Sequence, residues 1–359
     1  MRIRVYYLVV LFLLSLTTAG AQTKVMKVNA IKANNYGVEY VLPKTQFVVE
    51  VEYTETLCEA GPYARYASRY LGLDESAVVF EDETFFTLNK VYISEKGIPN
   101  KEQTYLVSFK ARTVSPFVCL TADGMIRTIN AECKDEEQYR ETPPTLTETK
   151  SFISPQSIFT EEYLRAGSVS KMAEVAAKNI YQIRESRQDI ITGEVENMPK
   201  DGEAMKIVLA SLEEQERLWT ELFTGKKSRK SHTHQIVVDP AMELDKEILF
   251  RFSKYYGIVD QDDLSGSPVY MNLKDLKTVE IPIPDPKRQA KEPQSIVYNL
   301  PGKALIELFY GTAPLYRGKH DVTQFGTTQI LATKMLDDKN NPVKVYFYPQ
   351  TGAIKQIIQ

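Results

Sequence analysis

The sequence predicts an α+β fold in three parts: a mostly antiparallel N-terminal sheet with one short helix, a central antiparallel helical hairpin, and a C-terminal β-sandwich-like domain. Three observations predict it. Apolar and polar residues alternate through residues 47–54, which is the period of a strand with one buried face. Two apolar stripes at helical spacing occupy residues 169–223, and strand patterns return from about residue 235. With 43% hydrophobic residues, the chain has enough apolar surface for real cores.

The N-terminal residues have the composition of an export signal. Arg2 and Arg4 precede an apolar run at residues 5–16, and small residues lead up to Ala21. We therefore expect a signal peptide at residues 1–21, cleaved between Ala21 and Gln22, and a mature protein in the periplasm or peripherally attached to the outer membrane. The apolar run is too short to cross a bilayer stably, so no transmembrane segment is expected.

Residues 22–133 are expected to form the N-terminal domain. Phe47, Val49, Val51 and Tyr53 share one face of its clearest strand pattern and alternate with Val48, Glu50, Glu52 and Thr54. Other strand-like runs lie at residues 78–80, 85–93, 105–110 and 117–121.

A short helix is predicted at GPYARYASRYLG, residues 61–72, because Pro62 suits a first turn and Gly72 a C-terminal cap. Three tyrosines fall on one face of this helix, within about 60° of one another. They are Tyr63, Tyr66 and Tyr70. We expect that face to be buried on the inward side of the strand at residues 47–51, with ligand binding by the rings as the alternative.

Residues 134–150 are polar and acidic and contain two adjacent prolines, which is the composition of a linker. Residues 151–230 are expected to form the helical hairpin. Asn197 and Pro199 are expected to end the first helix, and Gly202 to open the second. The two apolar stripes are Val169, Met172, Ala173, Ala176, Ile180, Ile183, Ile190 and Ile191 in the first helix, and Met205, Leu209, Leu212, Trp219 and Phe223 in the second.

Two features of the hairpin concern its contacts. Trp219 is the single tryptophan and is a candidate interface anchor, with core packing as the alternative. Each stripe also carries one charged residue, Arg187 or Glu216. If the chain turns back near residue 197, these two lie about 13 Å apart along the helix axes. We therefore expect them to find separate partners.

Residues 231–359 are expected to form the C-terminal β domain. Turn signals such as residues 337–341 and 350–352 separate its later strands, and a proline-rich connection occupies residues 281–294. The strand patterns lie at residues 236–238, 248–252, 269–272, 296–298, 304–309, 328–333, 343–348 and 354–357.

The charge balance disfavours a nucleic-acid function. The whole chain has a formal charge of −3, and loss of the signal peptide makes it more acidic by removing Arg2 and Arg4. The one basic run, at residues 226–230, follows a predicted helix, so we expect a solvated helix end and loop, with contact to an anionic lipid or polysaccharide as the alternative.

The three cysteines allow one disulfide and leave one thiol. If Asp123 and Gly124 form a hairpin turn, Cys119 lies opposite Thr128 rather than Cys133. A bridge that involves Cys58 is therefore expected, although the pairing among the three stays open.

No catalytic signature or cofactor motif occurs in the sequence. His232 and His234 are weak candidate metal ligands, because alternate residues on a strand point the same way, but two ligands do not complete a site. No cofactor and no metal are therefore expected. A glycosidase-like pair of carboxylates could still be brought together by the fold.

Four segments resemble one known family. They are YVLPKT at residues 40–45, GPYARYASRYLG at residues 61–72, LWTELFTG at residues 218–225 and TQFGTTQIL at residues 323–331. The mature chain is similar over nearly its whole length to a family of exported Bacteroidota proteins that is classified only as a domain of unknown function. The resemblance implies a cell-envelope location and brings no catalytic residue.

These observations favour an exported, non-enzymatic binding or assembly protein that engages another protein of the cell envelope. Its candidate binding residues are Tyr63, Tyr66, Tyr70 and Trp219. The alternatives are an envelope hydrolase with a carboxylate pair and a glycan-binding module. The oligomeric state and the identity of any ligand stay open.

Overall fold

The computed structural model describes residues 24–27, 37–108, 118–133, 155–194, 202–280, 295–332, 336 and 343–359. The predicted signal peptide, the predicted linker at residues 134–150 and the proline-rich segment at residues 281–294 lie outside the described residues. Within the described part of the chain, no helix combines the length and the apolar character needed to cross a bilayer.

Strands make up most of the described structure, and four of them are long. They are β1 (Lys24–Lys27), β2 (Gly37–Glu59), β3 (Glu83–Ser108), β4 (Val118–Leu120), β5 (Ile126–Ile129), β6 (Lys226–Val238), β7 (Leu244–Ser253), β8 (Gly257–Val259), β9 (Ser267–Asp275), β10 (Ser295–Tyr310), β11 (Ala313–Ala332), β12 (Lys344–Phe347) and β13 (Ile354–Ile358).

Four α-helices and three single 3₁₀ turns complete the described elements. The helices are α1 (Ala67–Leu71), α2 (Glu161–Leu164), α3 (Val169–Thr192) and α4 (Gly202–Thr224), and the 3₁₀ turns are Ala64–Tyr66, Glu75–Ala77 and Pro155–Ile158. Ser168 caps α3 by accepting a hydrogen bond from the backbone N–H of Lys171, and α3 and α4 form the predicted hairpin.

The strands form three antiparallel sheets. The first has the order β1-β3-β2-β6, the second β11-β10-β9-β7-β8, and the third β13-β12-β5-β4. Two of the sheets combine strands from both sides of residues 134–150, because β6 pairs with β2 and β12 pairs with β5. The predicted α+β class, with mostly antiparallel sheets, a helical hairpin and a C-terminal sheet region, is confirmed.

Two β cores lie against the first sheet. In one, Phe47, Val49 and Val51 are fully buried against the second sheet, so the alternation predicted for this strand is confirmed. In the other, the earlier part of β2 contributes Tyr40 and Leu42 to a core that it shares with the third sheet. Strands β2, β3, β10 and β11 each run through both cores.

A polar junction joins the two cores where these long strands bend. The side-chain amide of Asn299 donates to the carbonyls of Pro43 and Thr351, both at 2.8 Å, and the amide of Gln324 donates to the carbonyl of Thr45 at 2.7 Å. The segments YVLPKT and TQFGTTQIL meet at this junction. The ladders of β2 and β10 change register here, and side-chain amides form hydrogen bonds with the backbone carbonyls that no longer take part in a regular ladder.

Three strand predictions were wrong. The runs at residues 85–93 and 105–110 belong, as far as the described residues reach, to one strand, β3, because Gly97 and Pro99 continue the ladder opposite Thr45 and Pro43. The separate strands at residues 296–298 and 304–309 are likewise one strand, β10. The run at residues 78–80 is not a strand: it follows the 3₁₀ turn Glu75–Ala77 and packs towards the helices.

The basic run was also assigned wrongly. Residues 226–230 are neither a helix end nor a loop but the start of β6, which is the edge strand of the first sheet and pairs with β2 along its whole length. Gly225, with a φ of 73°, lets the chain leave α4 and enter this strand at once.

The register predicted for the hairpin was wrong. Arg187 Nη1 lies 2.8 Å from Glu216 Oε2, and Arg184 Nε lies 2.6 Å from Glu216 Oε1. Helix α3 ends at Thr192, five residues before the expected stop, because Gly193 takes the left-handed conformation that ends a helix. These contacts show that α4 is displaced along α3 from the position expected for a turn at residue 197, so that Glu216 lies opposite both arginines.

The cysteine prediction was wrong as well. Cys119 does pair with Thr128 across the β4–β5 hairpin, as the turn predicted, yet the disulfide joins Cys119 to Cys133. Asn130, with a φ of 57°, turns the chain back after β5, and the two Cα atoms come within 5.8 Å. Cys58 is a buried free thiol.

Candidate functional site

The predicted binding residues belong to a third core, built by the helices. Tyr63 and Trp219 are only 3% and 2% exposed in this core, where they pack with Tyr163 and Phe223. Tyr63 and Phe223 are in ring contact at 5.5 Å, and Trp219 meets Tyr163 edge to face at 5.1 Å. A buried indole cannot contact a partner without rearrangement, so Trp219 acts here as a packing residue.

The tyrosine helix packs on a different surface from the one expected. Phe47, Val49 and Val51 face the second sheet, whereas Tyr63, Tyr66 and Tyr70 pack on the helical core. The expectation that the rings lie on the 47–51 strand is therefore wrong. Among the described residues, the helical core contains no strand residue, so the tyrosine helix is covered by other helices, and its apolar stripe alone does not indicate which element covers it.

The hydroxyls of Tyr63 and Tyr163 form a buried hydrogen bond of 2.5 Å. Burial, followed by this hydrogen bond, raises the pKa of Tyr63 far above its ordinary value. The Tyr63 hydroxyl therefore stays neutral at any physiological pH, and its hydrogen bond to Tyr163 joins the 3₁₀ turn before α1 to α2.

Tyr66 and Tyr70 are only half-buried, and they form an outer surface with α3. Their rings lie 6.0 Å apart, and the half-exposed Tyr181 donates its hydroxyl to the carbonyl of Tyr70 at 2.9 Å. The guanidinium of Arg69 lies 5.4 Å from the ring centroid of Tyr70, and that of Arg184 lies 5.7 Å from that of Tyr181. We call these five residues the tyrosine–arginine face.

Glu216 holds one side of this face in place. Its side chain is only 14% exposed and binds Arg184 and Arg187 together. Because Arg184 is fixed by this contact, its guanidinium stays over Tyr181, and Tyr181 in turn is fixed to the backbone of α1. The face is therefore rigid before any partner arrives, which lowers the entropy cost of binding.

The chemistry of the face suits a protein surface. Tyrosine and arginine are the side chains most enriched among interface hot spots, together with tryptophan. A sugar ring needs an open aromatic face, but a guanidinium already covers one side of both Tyr70 and Tyr181. Arg69 makes no ion pair with any described residue, so its donors are open to a carboxylate or a backbone carbonyl.

The two candidate metal ligands lie on β6 and share a face, as predicted. His232 stacks on Tyr53 at 5.1 Å, and its Nε2 lies 2.8 Å from Glu55 Oε2. His234 is exposed two residues further along the strand. Among the described residues, no three His, Cys, Asp or Glu side chains come together in a way that would hold a metal ion.

A hydrolase with a carboxylate pair needs both carboxylates in one cleft, and two clefts in the described part of the chain are large enough to consider. One, of about 550 Å³, lies beside the disulfide and is lined by Arg127, Glu132, Lys344 and Lys355 among others. The other, of about 300 Å³, lies at the polar junction, and the described residues that line it include no carboxylate. The described lining of these clefts thus contains one carboxylate in the first and none in the second, whereas a glycosidase needs a pair.

Sequence analysis missed one further network. His320 is 8% exposed; its Nδ1 lies 2.6 Å from Glu95 Oε1, and its Nε2 lies 2.7 Å from the hydroxyl of Tyr316. The hydrogen bond from His320 holds the pKa of Glu95 below its ordinary range, whereas burial raises the pKa of Tyr316. A raised pKa makes the phenol a poor nucleophile, so this network joins β11 to β3 rather than forming a reactive triad.

Part of the tyrosine–arginine face could be found in the sequence and part could not. Tyr66 and Tyr70 were identified from the helical spacing, but Tyr181 and Arg184 lie off the apolar stripe of α3 and were not selected. Their spacing of three residues is a weak signal for a surface pair on a helix. Nothing in the sequence indicates that α1 and α3 meet.

The comparisons with known proteins place most of the chain in one family. A family model described as Domain of unknown function (DUF4831) matches residues 36–355. No curated protein and no solved structure matches the chain. The match includes strands of all three sheets and the helical hairpin but not β1, and it assigns no role to any residue.

Proposed function

The chain belongs to the family described as Domain of unknown function (DUF4831), and on that premise we propose that it is an exported, non-enzymatic binding or assembly protein of the cell envelope. The observation that carries the proposal is the tyrosine–arginine face, in which rigid aromatic and guanidinium groups project from a packed helical core. Its partner is another envelope protein. The leader-like residues 1–21 support the envelope location.

The face matches the anatomy of a protein interface. Its centre is formed by Tyr70 and Tyr181, which are joined through the backbone of α1, and its rim carries the exposed cation Arg69. A partner that offers carboxylates near an apolar or aromatic group would pair with the guanidinium and cover the tyrosine rings. Each well-placed contact of this kind contributes on the order of 1–2 kcal/mol to binding.

The test is photo-crosslinking in intact cells. A crosslinkable residue placed at Arg65, which is exposed on the helix beside the face, should capture one defined protein. The same probe at Lys319, which is exposed on β11, should not capture it. Recovery of that protein with purified chain should fall by at least about tenfold in the variant Arg69→Glu with Tyr181→Ala.

A matched variant controls for general surface effects. Tyr255→Ala removes a tyrosine that is 59% exposed on another part of the molecule, and Lys319→Glu reverses a cation away from the face. Together these changes should leave recovery of the partner unchanged. Capture of glycan alone would contradict the proposal and favour the glycan-binding alternative. Equal loss of the partner in both variants would contradict the assignment of the binding surface to the tyrosine–arginine face.

A further inference from the structure

Strand β6 is a long edge strand with an unusual charge. It runs for 13 residues, nearly all of them exposed, and it pairs with β2 on one side only. Its sequence, KKSRKSHTHQIVV, contains four lysine and arginine residues and no acid. Every second residue of an edge strand directs its N–H and C=O away from the sheet. The side of β6 that faces away from β2 therefore offers a row of backbone groups to another strand.

The cations of β6 differ in what lies opposite them. In the part of the chain that the structure describes, Lys226, Lys227, Arg229 and Lys230 make no ion pair, and His232 contacts Glu55. Across the ladder, Lys226 lies opposite Glu59 and Lys230 opposite Glu55, whereas Lys227 lies opposite Cys58 and Arg229 opposite Thr56. Lys227 and Arg229 share one face of the strand, so positive charge without an opposing acid lies there beside the open edge.

This charge determines which strands the edge accepts. A second copy of β6 would place lysines and arginine against one another, and like charges directly opposite across a ladder are destabilising. Cations on an edge also prevent pairing with apolar strands, which is their usual protective role. An acidic strand meets neither obstacle, so the same residues that exclude self-association select an acidic partner.

We propose that the open edge of β6 binds an extended acidic segment of a partner protein, which adds to the first sheet as a further strand. Backbone hydrogen bonds fix the register of the added strand, and its carboxylates pair with Lys227 and Arg229, which share one face of β6. This surface is separate from the tyrosine–arginine face, and the proposal does not depend on it. A polyanion such as a phospholipid surface would use the same cations but not the backbone.

The test uses the full chain and a synthetic peptide. A capped, fluorescent peptide of about ten residues that alternates Glu with Thr provides carboxylates on a strand-forming backbone. We expect it to bind the chain at low salt, as measured by fluorescence anisotropy. The same peptide with alternate backbone nitrogens methylated keeps its charge but cannot complete a ladder, and its affinity should fall by at least about tenfold.

Charge-reversal variants locate the site. Replacing Lys227 and Arg229 by Glu should abolish binding of the unmodified peptide, with circular dichroism used to verify the fold. A matched double reversal on the second sheet, at Arg317 and Lys319 of β11, should leave binding unchanged.

Three outcomes would overturn the proposal. One is equal binding of the methylated and unmethylated peptides, which would mean that charge alone acts. Another is the absence of peptide binding. The third is a combined result: vesicles of anionic phospholipid bind the chain and lose binding in the β6 variant, while the chain binds both peptides equally.

Discussion

At the scale of single residues, the hydroxyl pair of Tyr63 and Tyr163 shows how a buried polar contact depends on both partners. The two oxygens lie 2.5 Å apart in an otherwise apolar core. If one hydroxyl is removed, the other stays buried without its partner, and the cost is then that of an unsatisfied polar group. If both are removed, that cost disappears.

We therefore predict that Tyr63→Phe lowers the free energy of unfolding by about 1–2 kcal/mol. The double variant Tyr63→Phe with Tyr163→Phe should recover most of that loss, as measured by urea denaturation. Tyr92→Phe, at a ring that is 46% exposed, should have no effect. Losses that simply add in the double variant would show that the two hydroxyls do not interact.

The contact of Glu95 with His320 should make stability depend on pH. The hydrogen bond from His320 keeps the pKa of Glu95 below its ordinary value of 4.5 in the folded protein. The stabilisation is therefore fully present above about pH 4.5 and is lost as the pH falls through the lower pKa of the folded state.

Glu95→Gln should thus destabilise the protein by about 1 kcal/mol near pH 6, a value reduced for the partial exposure of the carboxylate. The difference from the unmodified protein should shrink towards zero near pH 3. Denaturation curves across this range measure it, with the exposed Glu81→Gln as the control. If the difference in unfolding free energy between the two proteins stayed constant with pH, folding would not lower the pKa of Glu95.

At the scale of elements, the end of α1 depends on backbone conformation rather than on space. Gly72 has a φ of 64°, and a Cβ added there would meet no atom within 4 Å. Gly167 is equally open, but its φ is not in the left-handed region. The two glycines therefore separate the effect of conformation from that of crowding.

Gly72→Ala should destabilise the protein by about 1 kcal/mol, because an L residue is strained at that φ. Gly167→Ala should be neutral or slightly stabilising, because alanine restricts the unfolded chain at no cost in the folded one. Thermal denaturation of both variants measures the contrast. Equal destabilisation would point to an unrecognised packing role for both positions.

Which elements could be predicted from the sequence depended on whether their signals are local. The alternation at residues 47–51 and the cap at Gly72 are local signals, and both were read correctly. The continuity of β3 through Gly97 and Pro99 was missed, because the proline lies at a bulge opposite Pro43, where ladder pairing is already interrupted. Gly193 is a helix-ending signal in the sequence, but the end of α3 was predicted from Asn197 and Pro199 instead.

At the scale of the whole molecule, pairings between distant segments could not be predicted. Nothing in the sequence of β6 indicates that its partner is β2, and nothing in β12 indicates β5. The same limit applied to the candidate site, where Tyr66 and Tyr70 were identified but their neighbours on α3 were not. Periodicity gives the buried face of an element, and only the assembled fold gives the surface that covers it.

Asn299 should connect the stability of both β cores. It is 7% exposed and donates two hydrogen bonds to carbonyls. Asn299→Asp keeps the shape but directs a carboxylate at both carbonyl oxygens, which should cost about 3–5 kcal/mol. Asn272→Asp should be nearly neutral, because Asn272 uses only its oxygen, as the acceptor for the N–H of Lys246.

Two probes distinguish a local from a shared effect. Fluorescence of Trp219 reports the helical core, and far-ultraviolet circular dichroism reports the sheets. In the Asn299→Asp variant both midpoints in urea should fall together, because long strands run through both β cores and α4 continues through Gly225 directly into β6 of the first sheet. A fall in one signal alone would mean that the parts of the molecule unfold separately.

The pairing of β2 with β6 also affects how the chain can be made. Synthesis proceeds from the N-terminus, so β2 and β3 emerge long before the strand that completes their sheet. Until residue 238 has left the ribosome, one edge of β2 stays unpaired. The face of β2 that carries Phe47, Val49 and Val51 stays uncovered for longer, because the second sheet runs from residue 244 to residue 332. The nascent chain therefore passes through an extended interval in which it is prone to aggregation, and a chaperone that holds unfolded strands would act during that interval.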